Sequence, residues 1–197
     1  MIDDQTIAFY DAAADDYANC FQSKSPSGHL KAFLALLPTN AAVLDLGCGP
    51  AQASAHMRAA GHTCDPVDAS IGMVRYANEK HAIGARQLTF DQLDMVAAYD
   101  GVWANFSLLH ARPEDLPRHL SAVHTALKRH GVFHIGMKTG KGSARDRLDR
   151  YYAFLTRPEL EKLLSDTGFR TLAVEEGADK GIAGTCDPWV VMRARKV

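Results

Sequence analysis

The chain has 197 residues, of which 47% are hydrophobic, and a formal net charge of −1. This length favours one domain with a sizeable core, and the balanced charge argues against nucleic acid as a standing partner. No apolar run reaches the roughly 18 residues of a membrane span, the acidic N-terminus is unlike a signal peptide, and the four cysteines lack metal-ligand spacing. We therefore expect a cytoplasmic protein with reduced thiols, no metal and no membrane partner.

The N-terminal region has the periodicity of amphipathic helices. A first helix is predicted from apolar and aromatic side chains that recur every three or four residues, namely Ile7, Tyr10, Ala14, Tyr17 and Phe21. A second helix, around Leu30 and Phe33, is predicted to end before Pro38, which cannot continue a helix. We interpret residues 1–38 as a helical cap.

Predicted strands and helices alternate over the next hundred residues. Apolar runs predict strands at residues 42–46, 64–68, 86–90, 99–106 and 132–137. Helices are predicted at 51–60 and 71–80, and a third that begins near Leu116 is predicted to be closed by Gly131. Strands that alternate with helices favour a parallel sheet covered by helices on both faces.

The C-terminal third begins with an irregular segment. Residues 139–149 are rich in glycine and charge, which is typical of a loop. Thr156 and Glu159 form a capping-box pattern, so a helix is predicted from there to Gly168. The last two strands are predicted at residues 169–174 and 188–192.

The turn after the first predicted strand is the most informative segment. Residues 43–50 (VLDLGCGP) run from an apolar strand into a glycine turn, and Asp68 stands at the end of the next strand, about 20 residues further on. Glycine lets the backbone turn sharply and approach a ligand closely, and a carboxylate can accept two hydrogen bonds from a ribose diol. A dinucleotide fingerprint has Gly or Ala at the sixth position from Gly47, where this chain has Gln52, so an NAD-dependent oxidoreductase is disfavoured.

Residues 45–50 (DLGCGP) resemble the first motif of class I S-adenosylmethionine-dependent methyltransferases, with Ala51 where many members have a third glycine. Four other segments resemble parts of the same family. Residues 10–17 resemble the N-terminal helix that covers the cofactor, and residues 99–110 resemble the fourth-strand motif. Residues 126–133 resemble the segment that leads into the fifth strand, and residues 138–151 resemble the loop that follows that strand. The last segment is similar to the tellurite-resistance-type branch of small-molecule methyltransferases, with Asp149 where that branch often has glycine.

The resemblance implies a fold, an activity and a cofactor. The implied fold is a Rossmann-like α/β sheet of seven strands, mostly parallel, with an antiparallel last strand and helices on both faces. The implied activity is methyl transfer from S-adenosylmethionine to a small molecule by a monomer or homodimer. We interpret residues 1–197 as one methyltransferase domain in which a cofactor-binding core, a substrate loop and C-terminal elements follow the cap, at residues 41–138, 139–155 and 156–197.

Ligands of open α/β sheets bind at the carboxyl ends of the strands. In the family that this chain resembles, the first turn packs on the methionine part of the cofactor, the acid at the position of Asp68 holds the ribose, and adenine lies near an apolar side chain and an acid, here Phe90 and Asp91. The predicted cofactor site consists of Tyr10, Tyr17, Asp45, Gly47, Cys48, Gly49, Asp68, Ala69, Met73, Phe90, Asp91, Asn105 and Phe106. Asp45 is interpreted as an organiser of the turn; for the two tyrosines and Met73, ordinary core packing is the alternative.

Four further residues are predicted to serve the methyl acceptor. His110 follows the fourth strand and could accept a substrate proton, since histidine titrates near pH 6.5; capping of the next helix is the alternative. Lys138, Arg150 and Tyr151 are predicted to contact the acceptor. The basic residues of that segment would recognise an anionic group, and a solvated face is the alternative.

Other functions remain open at this stage. Amino-group methylases of nucleic acid carry an Asn/Asp-Pro-Pro-aromatic signature after the fourth strand, where this chain has residues 105–108 (NFSL). A nucleic-acid or protein methyltransferase and a cofactor-binding module with little catalysis are the alternatives to a small-molecule enzyme. For the glycine turn at residues 43–50, the remaining alternative is an ordinary strand–turn–helix that binds no ligand.

Overall fold

The computed structural model describes residues 3–20 and 23–197, so Phe21 of the first predicted helix lies outside the described residues. The N-terminal region forms three short helices, α1 (Asp4–Ala12), α2 (Ala14–Cys20) and α3 (Gly28–Leu34). The prediction of one continuous first helix is therefore wrong, because the chain leaves the helical conformation at Ala13. Asp3 caps α1 by accepting a hydrogen bond from the backbone N–H of Thr6 at 2.9 Å.

The remaining elements are mostly strands and helices in alternation. The strands are β1 (Ala42–Leu46), β2 (Thr63–Asp68), β3 (Arg86–Gln87), β4 (Tyr99–Asn105), β5 (Leu127–Lys138), β6 (Ser143–Arg145), β7 (Tyr151–Ala153), β8 (Phe169–Lys180) and β9 (Cys186–Lys196). The helices are α4 (Gln52–Ala59), α5 (Ile71–His81), α6 (Leu116–Ala126) and α7 (Arg157–Asp166).

Seven strands form one sheet in the order β3-β2-β1-β4-β5-β9-β8. The five strands from β3 to β5 run parallel to one another, and β9 is antiparallel to both of its neighbours. This confirms the predicted Rossmann-like sheet with an antiparallel last strand. The chain moves outward in one direction from β1 to β3 and in the other direction from β4 to β5, so β1 and β4 flank the switch point at which such sheets bind ligands.

Apolar side chains fill both sides of the sheet. One core packs α6 and α7 against the strands, through residues such as Leu120, Leu164 and Phe133. The other side is covered by α3 and α4, with Phe33 and Met57 buried against β1 and β4. Since both faces are covered, the carboxyl ends of the parallel strands are left as the open edge. No helix among residues 3–20 and 23–197 is both long enough and apolar enough to cross a membrane.

Three predicted elements differ from the structure. The third strand is only two residues long, because Thr89 and Gln92 cap a 3-10 turn that starts at Phe90. The helix that was predicted to close at Gly131 ends at Ala126, since the next residue already pairs with β4. The segment predicted as irregular between residues 139 and 149 contains β6, which pairs with β7 in a short hairpin.

The last two strands are also longer than predicted. The pairing of β8 with β9 continues to Lys180 and Cys186, well beyond the sheet edge formed by the parallel strands. The prediction ended the first of these strands at Val174 and began the second at Pro188. The extended hairpin projects over the open edge of the sheet, and its residues enter the site described next.

Candidate active site

A cavity of about 580 Å³ lies at the carboxyl ends of β1, β2 and β4, a size that is usual for small-molecule sites. Helices α1 and α2 line one side of it, and the β8–β9 hairpin lines another. The cavity brings together sixteen residues that the sequence predicted for cofactor, acceptor or catalysis, namely Tyr10, Tyr17, Asp45, Gly47, Cys48, Gly49, Asp68, Ala69, Met73, Phe90, Asp91, Asn105, Phe106, His110, Lys138 and Arg150.

Tyr151 is the predicted site residue that does not line this cavity. Its side chain lies in a separate depression with Arg112 and Arg145, on the outer side of the β6–β7 hairpin. Successive side chains of a strand point to opposite faces, so Tyr152 takes the place that was predicted for Tyr151.

The turn after β1 is held by the neighbouring strand. The backbone N–H groups of Gly47 and Cys48 both donate to the carbonyl of Val67, each at 2.9 Å. Gly47 has φ +76°, and a Cβ there would lie 2.3 Å from the Cβ of Ser107; at Gly49, with φ +52°, a Cβ would meet nothing within 4 Å. Gly47 is therefore required for packing against protein rather than for approach to a ligand, whereas Gly49 leaves its backbone open toward the cavity.

Asp68 joins this turn to the end of β2. Its Oδ2 accepts from the N–H of Gly49 at 2.8 Å, and its Oδ1 accepts from the N–H of Ser70 at 2.9 Å. A carboxylate has about four acceptor positions, so two remain for the hydroxyl groups of a ligand. Burial raises the pKa of Asp68 and outweighs the two N–H donors that lower it; further donors from a ligand would favour the charged form.

Helix α1 is fixed beside Asp68 by a residue that the sequence analysis missed. Asp11 Oδ1 accepts from the hydroxyl of Ser70 at 2.6 Å and from the N–H of Gly72 at 3.0 Å. A Cβ at Gly72 would lie 2.5 Å from the carbonyl oxygen of Asp11, so the absence of a side chain lets α1 contact the start of α5. No local pattern signals this contact, because the partners are about 60 residues apart in the sequence.

Asp45 lies beneath the turn with only 2% of its surface exposed. The hydroxyl of Ser54 donates to its Oδ2 at 2.7 Å. Burial raises the pKa of Asp45 to about 7, and the charge of Asp68 adds to that rise. Asp45 is thus tied to α4 through Ser54, and it titrates in the range where a nearby cationic ligand would draw it into its charged form.

Asp45→Asn is expected to change how stability depends on pH. The folded protein keeps a proton on Asp45 between the ordinary Asp pKa of 3.8 and about 7, where the unfolded chain has lost it, so this residue makes the fold less stable as pH rises through that window. Asparagine does not titrate, so the stability of the variant relative to wild type should increase between pH 4 and 7 and level off above. Urea unfolding at several pH values measures this difference, and a pH-independent difference would contradict it.

Apolar side chains form the part of the cavity beside β2 and β3. Met73 and Leu88 are buried, and Phe90 opens the 3-10 turn. Asp91 lies at the rim, where Arg118 Nη2 is 2.6 Å from its Oδ1. This region has the composition of an adenine pocket, with apolar walls and one acid at the edge.

Strained backbone marks the end of β4. Phe106 has φ +57°, a conformation that is rare for a bulky residue, and its N–H donates to the carbonyl of Gly136 at 3.1 Å. Asn105 Oδ1 lies 3.0 Å from Nε2 of the buried His134, whose ring stacks on Trp103. Strain of this kind concentrates at functional sites, and both β4 residues line the cavity.

A hydrogen-bonded chain crosses the acceptor side of the cavity. His110 Nδ1 is 2.6 Å from the carbonyl oxygen of Tyr151, which can only accept, so Nδ1 carries the proton. Nε2 is then the acceptor for the hydroxyl of Tyr10 at 2.9 Å, and Arg150 Nη1 donates to that same hydroxyl at 3.2 Å. Burial lowers the pKa of His110 to about 4 and raises the pKa of Tyr10. At neutral pH His110 is uncharged, and its Nε2 is engaged by the hydroxyl of Tyr10, so the arrangement orients Tyr10.

The two cations predicted to contact the acceptor are already paired. Lys138 Nζ is 2.7 Å from Asp187 Oδ2 and lies 3.9 Å from the centre of the Tyr152 ring. Arg150, with 3% of its surface exposed, donates to Asp146 Oδ2 through Nε at 3.0 Å and Nη2 at 2.6 Å. The prediction that this basic segment recognises an anion is therefore not favoured, because both charges are compensated inside the protein.

The β8–β9 hairpin supplies several of the site residues that sequence reasoning missed. Trp189, Asp179 and Asp187 line the cavity, together with His29 from α3. The turn between the two strands contains Gly181 and Gly184, the composition of a hairpin turn, and this was the one signal that could have predicted a longer hairpin. Within the described ranges, no three His, Cys, Asp or Glu side chains are arranged to hold a metal ion.

Residues 43–131 match the sequence family described as "Methyltransferase domain". The matched stretch begins in β1, ends within β5 and includes the glycine turn, Asp68 and the end of β4. No curated protein matches the sequence. The match supports the predicted enzyme class, and S-adenosylmethionine is the methyl donor of the class that the first motif resembles.

Solved structures share the fold. A S-adenosylmethionine-dependent methyltransferase from Methanosarcina mazei has a TM-score of 0.76 at 17% identity, over 83% of this chain and 96% of that chain. A Burkholderia thailandensis 1,6-didemethyltoxoflavin-N1-methyltransferase has a TM-score of 0.71 at 24% identity, over 96% and 88%. A Haemonchus contortus phosphoethanolamine N-methyltransferase has a TM-score of 0.73 at 16% identity, over 94% and 57%. These similarities confirm the fold.

Proposed function

We propose that this chain is an S-adenosylmethionine-dependent methyltransferase whose acceptor is a small molecule. The observation that carries the proposal is the hydrogen bond from the N–H of Gly49 to Asp68 in a partly open cavity, inside the stretch that matches a methyltransferase domain. The acid that we assign to the ribose and an open glycine backbone thus lie side by side at the switch point of the sheet.

The residues present fit this cofactor. Asp68 has free acceptor positions for the ribose hydroxyls, and the apolar pocket beside Met73 and Phe90 suits adenine. The methionine part would extend along the turn at Gly49, where a Cβ would meet only open space. Asp45, beneath that turn, would favour the positive charge of the amino end.

The protein contributes mainly alignment. When bound, the cofactor supplies a methyl group on a sulfonium and a neutral thioether as leaving group. Placing the acceptor in line with that methyl group accounts for up to roughly 7–11 kcal/mol of barrier reduction in well-oriented reactions. Tyr10, oriented by His110 and Arg150, would position the acceptor. A neutral amine or ring nitrogen, or an acceptor that is already ionised, attacks without a dedicated base, and any surplus proton leaves to solvent after the transfer.

Two features favour a small acceptor over a macromolecule. Helix α1 and the β8–β9 hairpin line two sides of the cavity, and its volume of about 580 Å³ is usual for small-molecule sites. The Burkholderia neighbour is bound to 1,6-didemethyltoxoflavin and S-adenosylhomocysteine, so a protein of this fold takes a small acceptor. The resemblance to the tellurite-resistance-type branch suggests an oxyanion acceptor. An oxyanion is not favoured here, because Lys138 and Arg150 are already paired with carboxylates of the protein.

Titration calorimetry with S-adenosylmethionine, S-adenosylhomocysteine and NAD tests the cofactor assignment. Both adenosyl ligands are expected to bind, with NAD weaker than either. Tighter binding of NAD would overturn the proposal. Turnover of small acceptors, followed as release of S-adenosylhomocysteine, separates an enzyme from a binding module, and turnover of protein or nucleic acid alone would contradict the acceptor class.

A further inference from the structure

Trp189 is the aromatic side chain through which the β8–β9 hairpin lines the cavity. Its indole Nε1 donates to Asp179 Oδ2 at 2.8 Å, and its ring meets His29 nearly at right angles, with ring centres 5.2 Å apart. A Cβ at Gly177 would lie 2.4 Å from the indole Cζ2, so the ring packs directly on the backbone of that glycine. These contacts orient a large planar side chain at the cavity, on strands other than the one that ends in the glycine turn.

Other rings complete this side of the cavity. Phe106 meets Trp189 at 79°, with centres 6.4 Å apart. His110 lies 5.5 Å from Tyr10 and 4.8 Å from Tyr152, measured between ring centres. Aromatic walls of this kind bind planar ligands by stacking and by edge-to-face contact.

The charges of the same region argue against a charged acceptor. Lys138 and Arg150 are bound to Asp187 and Asp146, so neither offers a free positive charge to an anion. Aromatic cages also bind cations, but the carboxylates of Asp187 and Asp146 are paired with these same side chains and offer no free negative charge to one. Asp179 is occupied by the indole N–H.

We propose that the acceptor is a planar, uncharged heteroaromatic molecule that stacks on Trp189, and that Gly177 and Asp179 hold the indole in the orientation that stacking needs. This inference rests on the proposed methyltransferase function and names its substrate class. Trp189 is then a residue that determines specificity for the acceptor and not for the cofactor.

The test uses three size-matched sets of fragments against the full chain saturated with S-adenosylhomocysteine. The sets are bicyclic heteroaromatics such as benzimidazole and quinoxaline, carboxylated forms of the same rings, and saturated bicyclic amines. Saturation-transfer NMR is expected to detect the uncharged planar set preferentially. Equal or better binding of the anionic or the cationic set, or no binding of the planar set, would overturn the inference.

Variants of the hairpin separate stacking from a structural role. Trp189→Leu is expected to weaken binding of the best planar fragment by about tenfold, whereas Trp189→Phe keeps a ring and should retain most of it. Gly177→Ala displaces an otherwise intact indole and should weaken binding of the same fragment several-fold. Arg170→Ala, on the exposed part of β8 outside the cavity, is the matched control and should change nothing.

Cofactor affinity, measured first by calorimetry, distinguishes the two levels of failure. If S-adenosylhomocysteine does not bind wild type, the proposed function fails. If it binds wild type and all variants equally while planar fragments bind Trp189→Leu as tightly as wild type, only the assignment of Trp189 fails.

Discussion

Asp68→Ala is expected to weaken S-adenosylmethionine binding about tenfold to a hundredfold, or about 1.5–3 kcal/mol, the usual scale for hydrogen bonds to a charged group. The variant would lose the two acceptor positions assigned to the ribose and would also release the N–H groups of Gly49 and Ser70. Asp68→Asn retains one acceptor oxygen, so its affinity for the cofactor should lie between those of Asp68→Ala and wild type. Calorimetry with S-adenosylhomocysteine measures the dissociation constants.

Asp65 provides the matched control for this experiment. It is a carboxylate on the same strand, but it binds Arg86 and Tyr99 and does not line the cavity. Asp65→Ala should therefore leave cofactor affinity unchanged, whatever it does to stability. An Asp68→Ala protein that is folded and binds the cofactor as tightly as wild type would mean that Asp68 serves only to join the turn to β2.

Sequence patterns could predict the cofactor side of the site because its residues follow from strand ends. Once β1, β2 and β4 are placed in a parallel sheet, the residues that end them, such as Asp45, Asp68 and Asn105, must meet at one edge. The glycine turn is local, and its backbone conformation is encoded within a few residues. These predictions needed no knowledge of long-range contacts.

The acceptor side depends on contacts that no local pattern encodes. The basic segment predicted an anionic acceptor only because its charges were considered without their partners, and Lys138 finds Asp187 some 50 residues away. Tyr151 and Tyr152 could not be distinguished, since the face of a strand residue is known only when the strand and its register are known. Trp189 falls within the last predicted strand, but its place at the cavity depends on the extension of the hairpin, which is a tertiary feature.

Gly47 and Gly49 should respond to alanine in different ways, although they belong to one motif. Gly47→Ala combines a left-handed backbone conformation with a Cβ 2.3 Å from that of Ser107. Strain of about 1–2 kcal/mol and overpacking of about 1–3 kcal/mol together predict a loss of about 2–5 kcal/mol in the free energy of unfolding. Gly49→Ala carries only the backbone strain, but its methyl group would enter the space assigned to the cofactor.

Denaturant unfolding and cofactor titration of the two variants test this difference. Gly84→Ala is the control for backbone strain alone, because Gly84 has φ +74°, meets nothing within 4 Å and lies outside the cavity. Gly49→Ala should match that control in stability while binding S-adenosylhomocysteine more weakly. Adding Ser107→Gly to Gly47→Ala removes the clashing Cβ and should restore part of the lost stability. If Gly47→Ala were no less stable than Gly84→Ala, the contact with Ser107 would not be what requires glycine at this position.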